Sequence, residues 1–148
     1  MKRSAQMISA CLALFAAQAA FAKPEFLNSD AALKTGLPFS EAVKVDGMLY
    51  LSGQLGLEPT TGKLVEGGIE AESRQTMDNI DAVLKTNGYA MQDIVKCTVF
   101  LTDMGEWSRF NTVYKTRFEA GKYPARSAIG VSALAAGAKV EVECMAAK

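Results

Sequence analysis

The chain has 148 residues, enough for one domain with a buried core, and its content of 49% hydrophobic and 22% charged residues is that of an ordinary globular protein. The formal net charge is zero and no basic stripe is visible, which argues against a nucleic-acid partner. Histidine is absent, which excludes Ser-His-Asp and Cys-His catalysis and histidine-ligated zinc or iron. A general base must therefore be a carboxylate, a lysine, a tyrosine, a thiolate or water.

The start of the chain is organised like a secretory signal peptide. A basic beginning precedes an apolar run over residues 7–21, and a small-x-small cleavage site ends at Ala22. The run is too short and too rich in alanine for a comfortable membrane span. We expect cleavage after Ala22 and export to a bacterial periplasm or beyond, with residues 23–148 as a single domain that does not bind a membrane. A lipoprotein signal at Cys11 and an uncleaved anchor are the alternatives.

Hydrophobic periodicity and turn signals predict the element order ββαβαββ. Asp46-Gly47 supplies the positive φ angles of a type I′ turn, which predicts a hairpin over residues 41–53. The other predicted elements are helices over 69–86 and 106–120 and strands over 93–102, 126–134 and 139–146. The stripes expected to face the core are Met77, Ile80, Val83 and Leu84 in the first helix and Trp107, Phe110, Tyr114 and Phe118 in the second. This order indicates an α+β fold in which one sheet carries both helices on the same face.

The face of the sheet away from the helices is predicted to carry polar groups. Lys96 and Thr98 alternate with Val95, Cys97, Val99 and Leu101, and Glu141 and Glu143 alternate with the apolar residues of the last strand. Two carboxylates on a sheet face are unusual for a single domain with one core. They fit a subunit boundary or a pocket.

The two cysteines of the predicted domain, Cys97 and Cys144, both lie on the apolar parity of their strands. A buried free thiol behaves as a small hydrophobic group, so we expect both to be unpaired. A disulfide, which an oxidising compartment would permit, and a nucleophilic thiol are the alternatives.

Several segments resemble one known family. The stretch "PARSAIGVSAL", followed after five residues by "VEVE", resembles the signature of the RidA/YjgF/UK114 family of enamine and imine deaminases. The segments "LSGQLGLEPTTGKLV", "QTMDNIDAVLKTNG", "DIVKCTVFLTDM" and "FNTVYKTRF" are also similar to that family. The resemblance implies a chorismate-mutase-like fold, a homotrimer and ligand clefts between subunits.

The resemblance also implies roles for individual residues. Arg126 matches the arginine that grips the substrate carboxylate, and Glu141 matches the glutamate that holds or activates the attacking water. Ser52 and Gly53 match the segment that lines the cleft, and Asn111 matches an asparagine near it.

Two positions in the implied substrate site depart from the common family pattern. Ala128 stands where many members have cysteine, and Phe39 stands where many have tyrosine. Ala128 still offers its backbone N–H but no thiol. Phe39 can form a wall of the cleft but cannot donate a phenolic hydrogen bond, so substrate preference and rate are open.

The residues permit hydrolysis of reactive 2-enamino or 2-imino acids to 2-keto acids with release of ammonia. Arg126 can fix the substrate by a bidentate grip on its carboxylate. Glu141 can take a proton from water and return it as ammonia leaves, and this chemistry needs neither a metal nor another cofactor. The alternatives are a structural ion pair between Arg126 and Glu141, a non-catalytic trimeric binding module for small carboxylates, and a holdase-like or regulatory trimer.

Overall fold

The computed structural model describes residues 23–148, so the predicted signal peptide lies outside the described residues. Within this range, no helix has both the length and the apolar character needed to cross a membrane. The described chain folds as a seven-stranded mixed sheet with its two longer helices on one face, as the α+β prediction required.

Ten helices and strands make up this architecture. The strands are β1 (Glu25–Leu27), β2 (Ala42–Val45), β3 (Met48–Leu51), β4 (Gln54–Leu55), β5 (Ile94–Leu101), β6 (Ala125–Gly130) and β7 (Val140–Ala147). The helices are α1 (Asp30–Lys34), α2 (Gly68–Thr86) and α3 (Trp107–Tyr114). The strand order is β1-β2-β3-β7-β5-β6, with β4 also paired to β7, and only the β5–β6 pair is parallel.

The predicted hairpin is confirmed as β2 and β3. Asp46 and Gly47 have φ angles of 48° and 74°, which is the left-handed pair that a type I′ turn needs to match the twist of the two strands. The turn sets the register in which Ala42 lies opposite Leu51. Both of these side chains are buried, so the register set by the turn is also the one that places the apolar residues in the core.

The core lies between the sheet and helices α2 and α3. The predicted α2 stripe is confirmed, since Met77, Ile80, Val83 and Leu84 are all buried. The sheet contributes the residues of one parity: Leu49, Leu51, Cys97, Val99, Leu101, Val140, Val142, Cys144 and Ala146. This one-sided core leaves the other face of the sheet exposed in a single protomer.

Several predicted boundaries differ from the structure. The strand predicted over 126–134 ends at Gly130, and the helix predicted over 106–120 ends at Tyr114 and continues as a 3₁₀ turn. Val95 is exposed rather than buried, because a bulge between Ile94 and Lys96 shifts the parity at the start of β5. The elements β1, α1 and β4 were not predicted, since two to five residues are too few to show a period.

The prediction of two free thiols is wrong. Cys97 lies directly opposite Cys144 in the antiparallel β5–β7 ladder, and the two form a disulfide. Their parity did place both in the core, at 0% and 2% exposure. The alternation of side chains along a strand does not reveal which strands are neighbours or in which register they pair. Here the β5–β7 pairing brings the two sulfur atoms together.

Candidate active site

Arg126 rests in a cradle of three aromatic rings. It lies in β6 opposite Cys97 of β5, so its side chain projects to the helix-covered face of the sheet. Its guanidinium carbon is 4.5 Å from the ring centroids of Trp107 and Tyr114 and 5.9 Å from that of Phe110. These three residues, the aromatic cradle, stand at i, i+3 and i+7 along α3. Phe110 and Tyr114 are buried as predicted, yet their rings also hold a cation by cation–π contact.

A cleft of about 410 Å³ opens beside this arginine, and we call it the Arg126 cleft. Its lining residues are Asn111, Tyr114, Lys115, Tyr123, Pro124 and Arg126. The lining includes no acidic residue, so its charged side chains are all cationic. Within residues 23–148, Arg126 has no carboxylate within 4.0 Å, and neither Arg126 nor Asn111 forms a side-chain hydrogen bond. The cleft therefore presents unpaired donors, which suits an anionic ligand.

The Tyr114 hydroxyl lies at the base of the cradle. The residue is 3% exposed, and its oxygen has no hydrogen-bond partner in the part of the chain that the structure describes. Burial raises the pKa of Tyr114 to about 12, against a smaller lowering by the charge of Arg126. The phenol is therefore neutral at physiological pH.

Glu141 lies in a second cluster. It is opposite Leu55 of β4 and Phe100 of β5, and it projects from the face of the sheet away from α2 and α3. Gly53 passes so close that a Cβ there would overlap the Glu141 carboxylate, with the carboxyl carbon only 2.8 Å away. The glycine therefore lets the carboxylate lie directly against the backbone that follows β3.

Ser52 precedes Gly53 and connects it to the segment that carries Phe39. The Ser52 hydroxyl donates a hydrogen bond of 2.6 Å to the carbonyl of Ser40, the residue after Phe39. This bond ties the loop before β2 to the end of β3. Phe39 itself is 58% exposed in the single chain. We call Phe39, Ser52, Gly53 and Glu141 the Glu141 half-site.

The environment of Glu141 favours proton transfer. Partial burial raises the pKa of its carboxyl above the ordinary value, and the negative charge of Glu143 raises it further. No hydrogen bond or ion pair to its carboxylate is found among the described residues. A carboxylate with a raised pKa lies nearer to working pH, where it exchanges protons with water more effectively.

Arg126 and Glu141 are on opposite faces of the sheet within one protomer. Arg126 pairs with Cys97 and Glu141 pairs with Phe100, and residues three apart on a strand face opposite ways. The alternative of a structural ion pair between them within one chain is therefore wrong. Asn111 and Ala128 lie on the Arg126 side, since Asn111 lines the cleft and Ala128 shares the parity of Arg126. One chain thus places these two clusters of predicted site residues on opposite faces of its sheet.

Asn79 is a positioning residue that the sequence did not reveal. From α2, its amide nitrogen donates hydrogen bonds of 2.9 Å to the carbonyls of Leu55 and Leu57. These bonds hold β4 and the loop after it, and β4 pairs with the strand that bears Glu141. The sequence analysis also did not assign the aromatic cradle or Lys115 to the site. The helical spacing of the three aromatic residues is typical of core positions, and only their contacts with Arg126 of β6 show that they also hold a cation.

The described residues include no cluster of three or more histidine, cysteine, aspartate or glutamate side chains that could hold a metal ion.

Comparison with known proteins shows close relatives in sequence and structure. The model of the endoribonuclease L-PSP family matches residues 29–148. The Mus musculus protein named 2-iminobutanoate/2-iminopropanoate deaminase is 45% identical over 109 residues, which are 74% of this chain and 80% of that protein. Protein DfrA of Myxococcus xanthus is 43% identical over 122 residues, 81% of this chain and 92% of that one.

Solved structures agree with these matches. RidA from an Antarctic Psychrobacter species has a TM-score of 0.77 at 36% identity, and the match covers 84% of this chain and 99% of that one. TdcF of E. coli, solved with bound serine, has a TM-score of 0.71 at 32% identity over 76% of this chain and 89% of that one. The family predicted from the sequence motifs is thereby confirmed: the chain belongs to the endoribonuclease L-PSP family, whose solved members include RidA and YjgF.

Proposed function

We propose that the protein is a deaminase that hydrolyses 2-imino acids, and 2-enamino acids after their tautomerisation, to 2-keto acids and ammonium. The observation that carries this proposal is the Arg126 guanidinium, held by three aromatic rings at a cleft and left without a carboxylate partner in the described chain. A planar fork of donors in such a place suits a substrate carboxylate. The names of the mouse relative and of other relatives at 40–45% identity, 2-iminobutanoate/2-iminopropanoate deaminase, support an imine substrate.

The proposed reaction needs one carboxylate and one water. The iminium carbon, C=NH₂⁺, is already electrophilic, and Arg126 holds it in place through the adjacent carboxylate. Glu141 accepts a proton as the water oxygen bonds to carbon, which gives a neutral carbinolamine. The proton returns from Glu141 to nitrogen, the C–N bond breaks as the carbonyl forms, and the hydroxyl proton passes to the departing ammonia, so that the keto acid and ammonium are released.

A homotrimer is part of the proposal, since the two half-sites face apart within one chain. In a closed ring, the Arg126 cleft of one subunit can meet the Glu141 half-site of the next. The uncovered sheet face supports such contacts, because it carries the exposed apolar side chains of Tyr50, Ile129 and Met145. Light scattering of residues 23–148 should give three times the chain mass, and a stable monomer at micromolar concentration would contradict the shared site.

The test of the activity is a coupled assay. An amino-acid oxidase generates the imine, semicarbazide traps what remains, and loss of the semicarbazone reports hydrolysis. The wild type and the surface control Arg109→Ala should both hydrolyse the imine, whereas Arg126→Ala and Glu141→Gln should lose activity and keep their oligomeric state.

The same variants separate the alternatives. Keto-acid binding that depends on Arg126 without any hydrolysis by the wild type would indicate a binding module instead. If Arg126→Ala dissociates or unfolds the protein, the arginine is structural and the proposal fails.

We also propose that the protein is exported. The Cys97–Cys144 disulfide supports this, because disulfides persist mainly in oxidising compartments. Amino-terminal sequencing of the protein from a periplasmic extract should begin at Lys23. Intact protein confined to the cytoplasm would contradict export.

A further inference from the structure

We infer that the Arg126 cleft selects 2-imino acids whose side chain carries a second carboxylate, and that Lys115 binds this second group. The inference rests on the proposed function and adds the substrate class and one specificity-determining residue. It begins from the two cations that line the same cleft of about 410 Å³.

The cleft has a charge surplus that a simple 2-imino acid does not match. Arg126 and Lys115 both line it, and no aspartate or glutamate does. In the described part of the chain, neither cation lies within 4.0 Å of a carboxylate. Lys122, the next lysine along the chain, differs because its ammonium is 2.8 Å from Glu119. The charge of Lys115 is thus available to a ligand.

The remaining polar groups of the lining reinforce this preference. Asn111 offers an amide and Tyr123 offers a hydroxyl group, whereas the Tyr114 hydroxyl is buried. The Asn111 amide and the Tyr123 hydroxyl can both donate hydrogen bonds, and the Asn111 amide forms none with another side chain in residues 23–148. A wall of donors without an acidic residue favours carboxylate oxygens over ammonium or amide groups on the substrate side chain.

The two cations occupy an inner and an outer position. Arg126 is half-buried against the aromatic cradle, whereas Lys115 is exposed in the 3₁₀ turn that directly follows Tyr114. A substrate held at the inner position by its 1-carboxylate would extend its side chain toward the outer one. Because the lysine ammonium sits on a flexible four-carbon stem, it can meet the second carboxylate of either a four-carbon or a five-carbon diacid.

Closure of the cleft by a neighbouring subunit strengthens the selection. A substrate with one carboxylate neutralises Arg126 and leaves Lys115 without a partner in a partly desolvated site, which is unfavourable. A second carboxylate removes this penalty. The proposed homotrimer would therefore strengthen the preference that the cationic lining of the cleft creates.

The experiment compares two imines with one matched pair of variants. The imine of aspartate is the diacid substrate and the imine of alanine is the reference, each generated by an oxidase and followed by semicarbazone loss. Lys115→Met should lower kcat/KM for the aspartate imine about fivefold, the upper range for an exposed ion pair. It should not lower kcat/KM for the alanine imine, because the variant removes a cation that this substrate leaves without a partner. Lys115→Glu should lower it about 25-fold, because attraction becomes repulsion. Lys122→Met, outside the cleft lining, should change neither substrate.

Two results would overturn the inference. One is an equal effect of Lys115→Met on both imines, or no effect on either. The other is dissociation of the oligomer by Lys115→Met, which would show that the lysine pairs with a carboxylate of a neighbouring subunit.

Calorimetry separates this inference from the proposed function. The probes are 2-oxoglutarate, a keto diacid, and 2-oxobutanoate, a keto acid with one carboxylate. Lys115-dependent preference for 2-oxoglutarate without hydrolysis of any imine would retain the inference and reject the deaminase. Hydrolysis of the alanine imine with no Lys115-dependent preference for diacids would retain the deaminase and reject the inference.

Discussion

Mixing two inactive variants should restore activity if the half-sites of neighbouring chains form one site. Arg126→Ala removes the carboxylate clamp and leaves Glu141 intact, whereas Glu141→Gln removes the proton acceptor and leaves Arg126 intact. A lost charge-assisted contact of roughly 2–4 kcal/mol in the transition state corresponds to about 30- to 1000-fold in rate. Each variant alone should therefore retain no more than about 3% of wild-type activity.

The recovery in the mixture follows from the placement of the two residues on opposite faces of the sheet. A working site needs Arg126 from one chain and Glu141 from the next. In a cyclic trimer assembled at random from equal amounts of the two variants, half of the chains carry an intact Arg126 and the other half carry an intact Glu141. About a quarter of the sites should therefore combine an intact Arg126 with an intact Glu141 from the neighbouring chain. Mixing Arg126→Ala with wild type, where only one residue is limiting, should leave about half.

The assay uses the two variants with different affinity tags, unfolded and refolded together or expressed together. Native mass spectrometry verifies that mixed oligomers have formed, and semicarbazone loss then measures hydrolysis. If mixed oligomers are present and the activity equals the mean of the two separate variants, both residues act within one chain. That result would refute the assignment of the site to two subunits.

Three further predictions test the local chemistry. Gly53→Ala should abolish most of the activity without unfolding the protein, because the new methyl group displaces the Glu141 carboxylate; normal activity with an unchanged circular dichroism spectrum would contradict this. Thiol titration of denatured residues 23–148 without reductant should detect neither Cys97 nor Cys144, and reduction should destabilise the fold by about 4 kcal/mol for a separation of 47 residues, measured by urea unfolding. The pKa of Glu141 is raised on folding, so its contribution to stability is present below the ordinary value of 4.5 and is lost as pH rises through the folded value. Glu141→Gln should therefore gain melting temperature relative to wild type as the pH rises above 4.5. A melting-temperature difference that does not change with pH would show that the Glu141 carboxyl titrates alike in the folded and unfolded chains.

Local patterns in the sequence were sufficient to predict the main helices and strands. The 3.6-residue period of α2 identified its buried stripe, and the Asp46-Gly47 pair identified the hairpin, because in each case the signal and its physical cause lie within a few residues. The family motifs also led to the confirmed family. The roles of the site residues, the trimer and the signal peptide stay predictions, which the experiments above address.

Elements without a local period could not be found in this way. Strand β4 has two residues, and it exists because Asn79 of α2 and strand β7 hold it from both sides. The exposure of Val95 depends on a bulge in the β5–β7 ladder, which is a property of two strands and not of one.

The candidate site shows the same division. Alternation along each strand determined which face Cys97, Cys144 and Glu141 take, because the side-chain period of a strand is local. The strand order and register decided that the two cysteines are joined and that Arg126 lies over the rings of α3, with Glu141 on the far side of the sheet. These contacts connect residues far apart in the chain, and they form only when the whole apolar face of the sheet is buried against α2 and α3. The sequence by itself therefore predicted which groups belong to the site, and only the tertiary structure decided which of them can meet within one chain.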